Sequence, residues 1–145
     1  MPRPDSGDFQ DLPLWRKLTA EFALGLLAEY GQTLIVPMTL VNRRYRDEIF
    51  GLIGQAGETI LHVFLDVPAS ELRRRIDAQV IHDGDPGRDA ETRAFRHRNV
   101  DRCVAARDSL PPGTLILPGD RHTPAELADL VLTALDSTAP QGGAR

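Results

Sequence analysis

Three short apolar runs limit what this chain can fold into: "TLIVP" at Thr33–Pro37, "TILHVFLD" at Thr59–Asp66 and "TLILP" at Thr114–Pro118. The second is too apolar to alternate between a buried and a wet face. It reads as a strand covered on both sides, and Thr33–Val36 suits the same setting until Pro37 ends the pairing. Helical patterns separate the runs. Strands separated by helices form βαβ units, so the expected fold is α/β with a parallel sheet flanked by helices. In such sheets ligands sit at the carboxyl ends of the strands, here Pro37–Thr39, Asp66–Pro68 and Pro118–Asp120.

The helices carry their own punctuation. Leu14, Leu18, Phe22, Leu26 and Tyr30 recur every four residues, with Pro13 near the start and Gly31 just past the end. Asn42 is placed to cap a second helix, with Tyr45, Ile49, Leu52, Ile53 and Ala56 on one face and Gly57 as its stop. Pro68 opens a third, striped by Leu72, Ile76 and Val80, and a fourth spans roughly 95–109, with Phe95, Val100, Cys103 and Val104 turned inward. The turn-rich "HDGDPGRDAE" before it has no apolar period and reads as a mobile loop. "TPAE" at Thr123–Glu126 has capping-box spacing and opens a last helix bearing Leu127, Leu130, Val131, Ala134 and Leu135. One domain over residues 1–135 is expected, with a disordered tail at 136–145.

Several function classes are disfavoured. The net charge of -4 argues against general affinity for nucleic acid or anionic membranes. An Arg-rich nucleic-acid binder therefore fits poorly, although the cations comprise 16 Arg and one Lys. A single cysteine, Cys103, forms no internal disulfide and suits a reducing cytoplasm. "MPRPDSGDFQ" has no apolar signal region, and "FALGLLA" is far too short to span a bilayer. The four histidines have no metal-ligand spacing with one another or with Cys103, and His62 reads as a hydrogen-bonded core residue.

Two clusters have residues suited to chemistry. "DFQDLPLWR" (Asp8–Arg16) gathers two carboxylates, an amide, an aromatic and an Arg at the start of a helix. Asp8 or Asp11 is placed to accept a proton from a hydroxyl, Trp15 to stack on a ring and Arg16 to pair with an anion. The plainer alternative has Asp11 capping the helix, Trp15 in the core and Phe9 as a hydrophobic staple. The second cluster is "ELRRRIDAQ" with "RAFRHRNVDRC", two arginine-dense helices around the loop. Their guanidinium groups suit phosphate oxygens, and equally suit a solvated face paired to Glu71, Asp77 and Asp101. No Walker A loop is present, because the only lysine, Lys17, lies in "WRKLT".

Taken in order, "DFQDLPLWR", "LIVPMTLV", "RRYRDEIFGLIGQAG", "HVFLDVPASELRRRI" and "NVDRCVAARD" resemble the tunicamycin resistance protein family over about residues 8–135. These are small P-loop phosphotransferases related to nucleoside and shikimate-type kinases. The resemblance implies a P-loop NTPase three-layer sandwich with strand order 2-3-1-4-5, of which this chain would supply strands three to five. It implies ATP and Mg²⁺ as cofactors and a small-molecule substrate, the γ-phosphoryl group passing to a hydroxyl. Asp8, Phe9, Gln10, Asp11, Trp15 and Arg16 then fall on the acceptor side, with Pro37, Met38 and Thr39 at the mouth of the cleft. Residues 82–95 become the lid. Arg75, Arg98 and Arg102 face phosphate, with Asp8, Arg98 and Arg102 catalytic, while Pro118, Gly119 and Asp120 lie near the adenine.

The chain departs from that pattern where its N-terminal strands and P-loop would stand. It also has Gln79 where a second arginine would complete a clamp with Arg75, and Pro37–Thr39 where many P-loop enzymes place a Walker B acid, which leaves Thr39, or a water it orients, for the magnesium environment. The expectation is a downstream part of a longer kinase, inactive alone; the alternative is a non-catalytic module or pseudoenzyme that sequesters a ligand. Without a central neighbour, the strands at Thr33–Val36 and Thr59–Asp66 should each expose a row of backbone groups.

Overall fold

The computed structural model describes residues 8–138. They divide into two compact units, residues 8–60 and 61–138, each with its own packing.

The first unit is a helical hairpin. A 3-10 turn at Phe9–Asp11 leads into α1 (Pro13–Tyr30), and α2 (Arg43–Gln55) packs against it. Proline occupies the first position of α1, where a missing N–H costs nothing. Gly31 closes α1 at φ 59°, a left-handed cap that a side chain would strain, and its N–H bonds the Leu27 carbonyl at 2.9 Å. Asn42 caps α2 as its sequence suggests, accepting from the Tyr45 N–H at 3.3 Å. The packed seam consists of Arg16, Ala20 and Ala23 on α1 against Arg46 and Ile49 on α2. Small alanines let the two helices approach closely. The Leu14–Leu18–Phe22–Tyr30 stripe is on the wet side, each residue at least half exposed.

Thr33–Val36 forms no strand. It runs unpaired through the 31–42 connection, with Ile35 80% exposed. A strand exists only by exchanging backbone hydrogen bonds with a neighbour, and no strand among the described residues pairs with this segment. The expected three-stranded sheet is thus two-stranded among the described residues.

The second unit holds that sheet. Strand β1 (Val63–Asp66) pairs in parallel with β2 (Leu115–Pro118), Val63 opposite Leu115 and Asp66 opposite Pro118. Between them run α3 (Ala69–Ala78), α4 (Pro86–Ala105) and a 3-10 turn at Ala106–Ser109; α5 (Pro124–Thr138) follows β2. This is the βαβ connection that parallel pairing demands. The α/β class follows. Leu117 and Val100 are buried, and His62 half-buried, its Nδ1 3.0 Å from Thr114 Oγ1.

Two boundaries differ from the sequence reading. The loop expected at 82–95 is largely helix, because α4 starts at Pro86. Asp85 caps it by accepting the Arg88 N–H at 3.0 Å, with proline at the next position. Asp89, one turn in and 3% exposed, accepts the Ile81 and His82 N–H groups at 2.8 and 3.3 Å, which ties down the segment before the helix. Those N–H groups, Ile81's foremost, and nearby Arg93 hold its carboxyl below the usual carboxylate range, against the opposing effect of burial. Val80, expected on the buried stripe of α3, lies past its end and is 71% exposed. In α5 the capping box forms reciprocally, Thr123 N–H to Glu126 Oε2 at 2.7 Å and Glu126 N–H to Thr123 Oγ1 at 3.3 Å. That helix continues to Thr138, so 136–138 belong to it; the rest of the expected tail lies outside the described residues. No helix among the described residues is long and apolar enough to cross a membrane.

Candidate functional site

In the first unit, the segment expected on the acceptor side meets the one expected at the mouth of the cleft. Asp8 caps the 3-10 turn, accepting the Gln10 N–H at 3.0 Å. Gln10 then reaches across 29 residues of chain, its Nε2 donating to the Thr39 carbonyl at 2.7 Å. Its own carbonyl accepts from Arg16 Nη1 at 2.5 Å. Asp11 accepts the Tyr45 hydroxyl at 3.0 Å, and that bond holds the Tyr45 phenol above its ordinary pKa. Phe9, Pro37, Met38 and Thr39 are exposed around this knot, while Trp15 is half-buried on α1.

Arg16 is the hub. Its side chain is 4% exposed, its Nε donates to Glu48 at 2.8 Å, and its guanidinium lies 4.2 Å over the Tyr45 ring. A cation held by a carboxylate, a carbonyl and an aromatic face is a fixed support for Gln10 and Asp11. Tyr45 and Glu48 were not singled out from sequence. Their spacing of three puts them on one side of α2; Tyr45 was read only as a member of that helix's apolar face, and nothing in the sequence pointed to Glu48.

In the second unit a cleft of ≈ 460 Å³ opens at the carboxyl ends of β1 and β2. Of the strand-end residues expected to border a ligand, Asp66, Val67, Pro68, Pro118 and Asp120 line it, together with Val104, Arg107 and Arg121. Its size lies within the usual range for small-molecule sites. Arg107, which the sequence reading placed within the helix expected over 95–109 without assigning it a role, lies in the 3-10 turn at Ala106–Ser109, and Arg121 follows β2 in a turn that carried no signal. Arg107 Nε donates to Asp66 Oδ2 at 2.8 Å and so closes one wall of the cleft across the end of β1.

The remaining arginines separate. Arg75 braces the strand end: Nη2 donates to the Gly119 carbonyl at 3.0 Å, and Nε to Glu71 at 2.7 Å. Hydrogen bonds from Arg74 and Arg75 pull the Glu71 carboxyl down from 4.5 to about 2. Arg98 and Arg102 are exposed one turn apart on α4. Among the described residues Arg98 has no ion-pair partner. Gln79, standing where the clamp's second arginine would be, accepts from Arg96 at 2.5 Å through its side chain and from Arg93 at 3.1 Å through its carbonyl.

The residues present do not fit a Walker A grip on ATP. Lys17 projects from the exposed side of α1, 3.6 Å from Glu21. Among the described residues no group of three or more His, Cys, Asp or Glu side chains is placed to hold a metal ion. Cys103 is half-buried, and burial pushes its thiol up, away from the thiolate a nucleophile needs.

Fold and clefts together define an α/β protein with a strand-end pocket in one unit and a cross-braced polar cluster in the other. No family model, curated protein or solved structure matches the chain.

Proposed function

We propose that this chain is a small-molecule phosphotransferase-type protein of the tunicamycin-resistance kind, in which Asp8–Arg16 and Thr39 bind a hydroxyl-bearing acceptor. The observation that carries the reading is the 2.7 Å bond from Gln10 Nε2 to the Thr39 carbonyl. It joins the segment that the resemblance puts on the acceptor side to the one it puts at the mouth between nucleotide and acceptor. Asp8 is the residue that would hold or take the acceptor's hydroxyl proton, and Arg16, acting through Gln10 and Tyr45, positions the cluster. The cleft between Pro118 and Arg121 suits a flat ring on an apolar floor, its edge met by Asp120 and Asp66.

Without a lysine placed to grip phosphate, the chain by itself neither holds ATP tightly nor turns it over. A second reading follows from the same fact: a non-catalytic module that sequesters the acceptor, favoured by the isolation of Lys17 on α1 beside Glu21. Calorimetry with a nucleoside antibiotic and with Mg-ATP, followed by a phosphoryl-transfer assay, separates the possibilities. Acceptor binding with no ATP heat supports the acceptor site, and transfer on addition of a nucleotide-gripping partner chain favours the phosphotransferase over the sequestering module. Absence of acceptor binding contradicts both, and micromolar ATP affinity contradicts the account of the missing grip.

A further inference from the structure

The longest helix of the first unit turns its most apolar side to water. Leu14, Leu18, Phe22 and Tyr30 on α1 are 55%, 51%, 70% and 66% exposed, and with the half-buried Leu26 they form one unbroken row. The opposite side of α1 is already occupied, by α2 at Ala20 and Ala23. A contiguous apolar row of this size on a soluble protein marks an interaction surface. We infer that α1 is the interface of a symmetric dimer, packing its Leu14–Tyr30 row against the same row of a second copy in antiparallel sense.

The pattern itself selects that partner. A two-fold interface must be self-complementary, each residue meeting its mirror in the partner. Steps of four make the row symmetric about Phe22, so an antiparallel copy sets Leu14 against Tyr30, Leu18 against Leu26 and Phe22 against itself. The flanking charges agree. Lys17 and Glu29, both exposed, lie beside the row on the same flank. Reversal keeps that flank shared and brings the Lys17 of each copy near the Glu29 of the other, whereas a parallel two-fold pair would set the Lys17 and Glu29 of one copy on the opposite side of the seam from those of its partner. Gly25 between them offers no side chain to obstruct the approach. The area is adequate: the four exposed residues present roughly 550 Å² per copy, so about 1,100 Å² across the pair before any flanking residue is counted, near the lower bound of stable interfaces.

Sedimentation equilibrium of the whole chain tests this directly. The expected wild-type species has twice the 16.0 kDa chain mass, and Phe22→Glu returns it to one chain mass with its far-UV circular dichroism unchanged. Lys17→Glu should weaken the dimer by setting like charges together, and adding Glu29→Lys should restore it, an outcome that a parallel pair or unspecific aggregation would not give. A wild type that sediments as a single chain overturns the inference. So does an assembly that survives Phe22→Glu, or a Lys17→Glu defect that Glu29→Lys leaves unrepaired. Should Phe22→Glu unfold the chain, the charge-exchanged pair decides alone.

Discussion

Arg16 and Glu48 form a 2.8 Å ion pair in which the cation is 4% exposed and the anion 35%. The two partners therefore do not contribute equally. Removing Glu48 takes the counter-charge from a buried guanidinium, leaving it only the Gln10 carbonyl and the Tyr45 ring, while removing Arg16 leaves a carboxylate that water reaches. Glu48→Ala should cost about 3 kcal/mol or more in urea unfolding, and Arg16→Met about half as much. Equal losses would mean that the burial of Arg16 does not govern the pair.

Gly119 is a point of close approach. It is buried at the end of β2, and a Cβ there would stand 2.9 Å from Val67 Cγ2 and 3.5 Å from Leu65 Cβ. Val67 is β-branched and cannot swing a flexible tip away. Gly119→Ala should therefore destabilise the second unit by about 1–3 kcal/mol and disturb the Arg75 bond to the Gly119 carbonyl. Thermal unfolding of the variant checks this, and an unchanged midpoint would contradict it.

Glu71 sets an acid limit on α3. Its folded-state pKa of about 2 lies below the ordinary 4.5, so its carboxylate stabilises the fold fully above about pH 4.5. That contribution fades as pH falls toward 2. A carbon-detected NMR titration should find its midpoint near 2 in the wild type, with Arg74→Gln and Arg75→Gln each moving it up toward 4.5. An ordinary midpoint in the wild type would show that the two arginines do not hold it.

Asp89 holds the segment before α4. Replacing it with Ala leaves the Ile81 and His82 amides without their acceptor. Hydrogen exchange at those two amides should accelerate roughly tenfold or more, with the middle of α4 little changed. Uniform acceleration along α4 would assign Asp89 to the whole helix instead.

Much of the local structure was legible because it depends on nearest neighbours. Pro13, Gly31, Asn42 and the Thr123–Glu126 box act within one turn of themselves, and all four sit where the sequence put them. Asp85-Pro86 carried the same kind of signal and was outweighed by the surrounding glycines, so the start of α4 was placed nine residues late (Pro86 against Phe95). Thr33–Val36 failed for a different reason. Its composition is that of a strand, but strand formation depends on a neighbour that no local pattern reports.

The site divides along the same line. The carboxyl-end rule led from the apolar runs to Pro118 and Asp120, which do line the cleft. Arg16 was read as an anion binder or as part of a helix start. Its guanidinium is instead engaged by Glu48, Gln10 and Tyr45, partners brought in by tertiary packing. Arg107 and Arg121 have no periodic signature at all.

The central claim is that the Asp8 cluster binds an acceptor through its charge. Asp8→Asn isolates that charge, because asparagine retains the oxygen that caps the Gln10 N–H. Isothermal titration of the chain with tunicamycin should give saturable binding in the wild type, lost in Asp8→Asn with the fold intact, and no measurable heat from Mg-ATP in either. A wild type that gives no binding heat with tunicamycin, or an Asp8→Asn variant that binds as well as the wild type, would contradict the account.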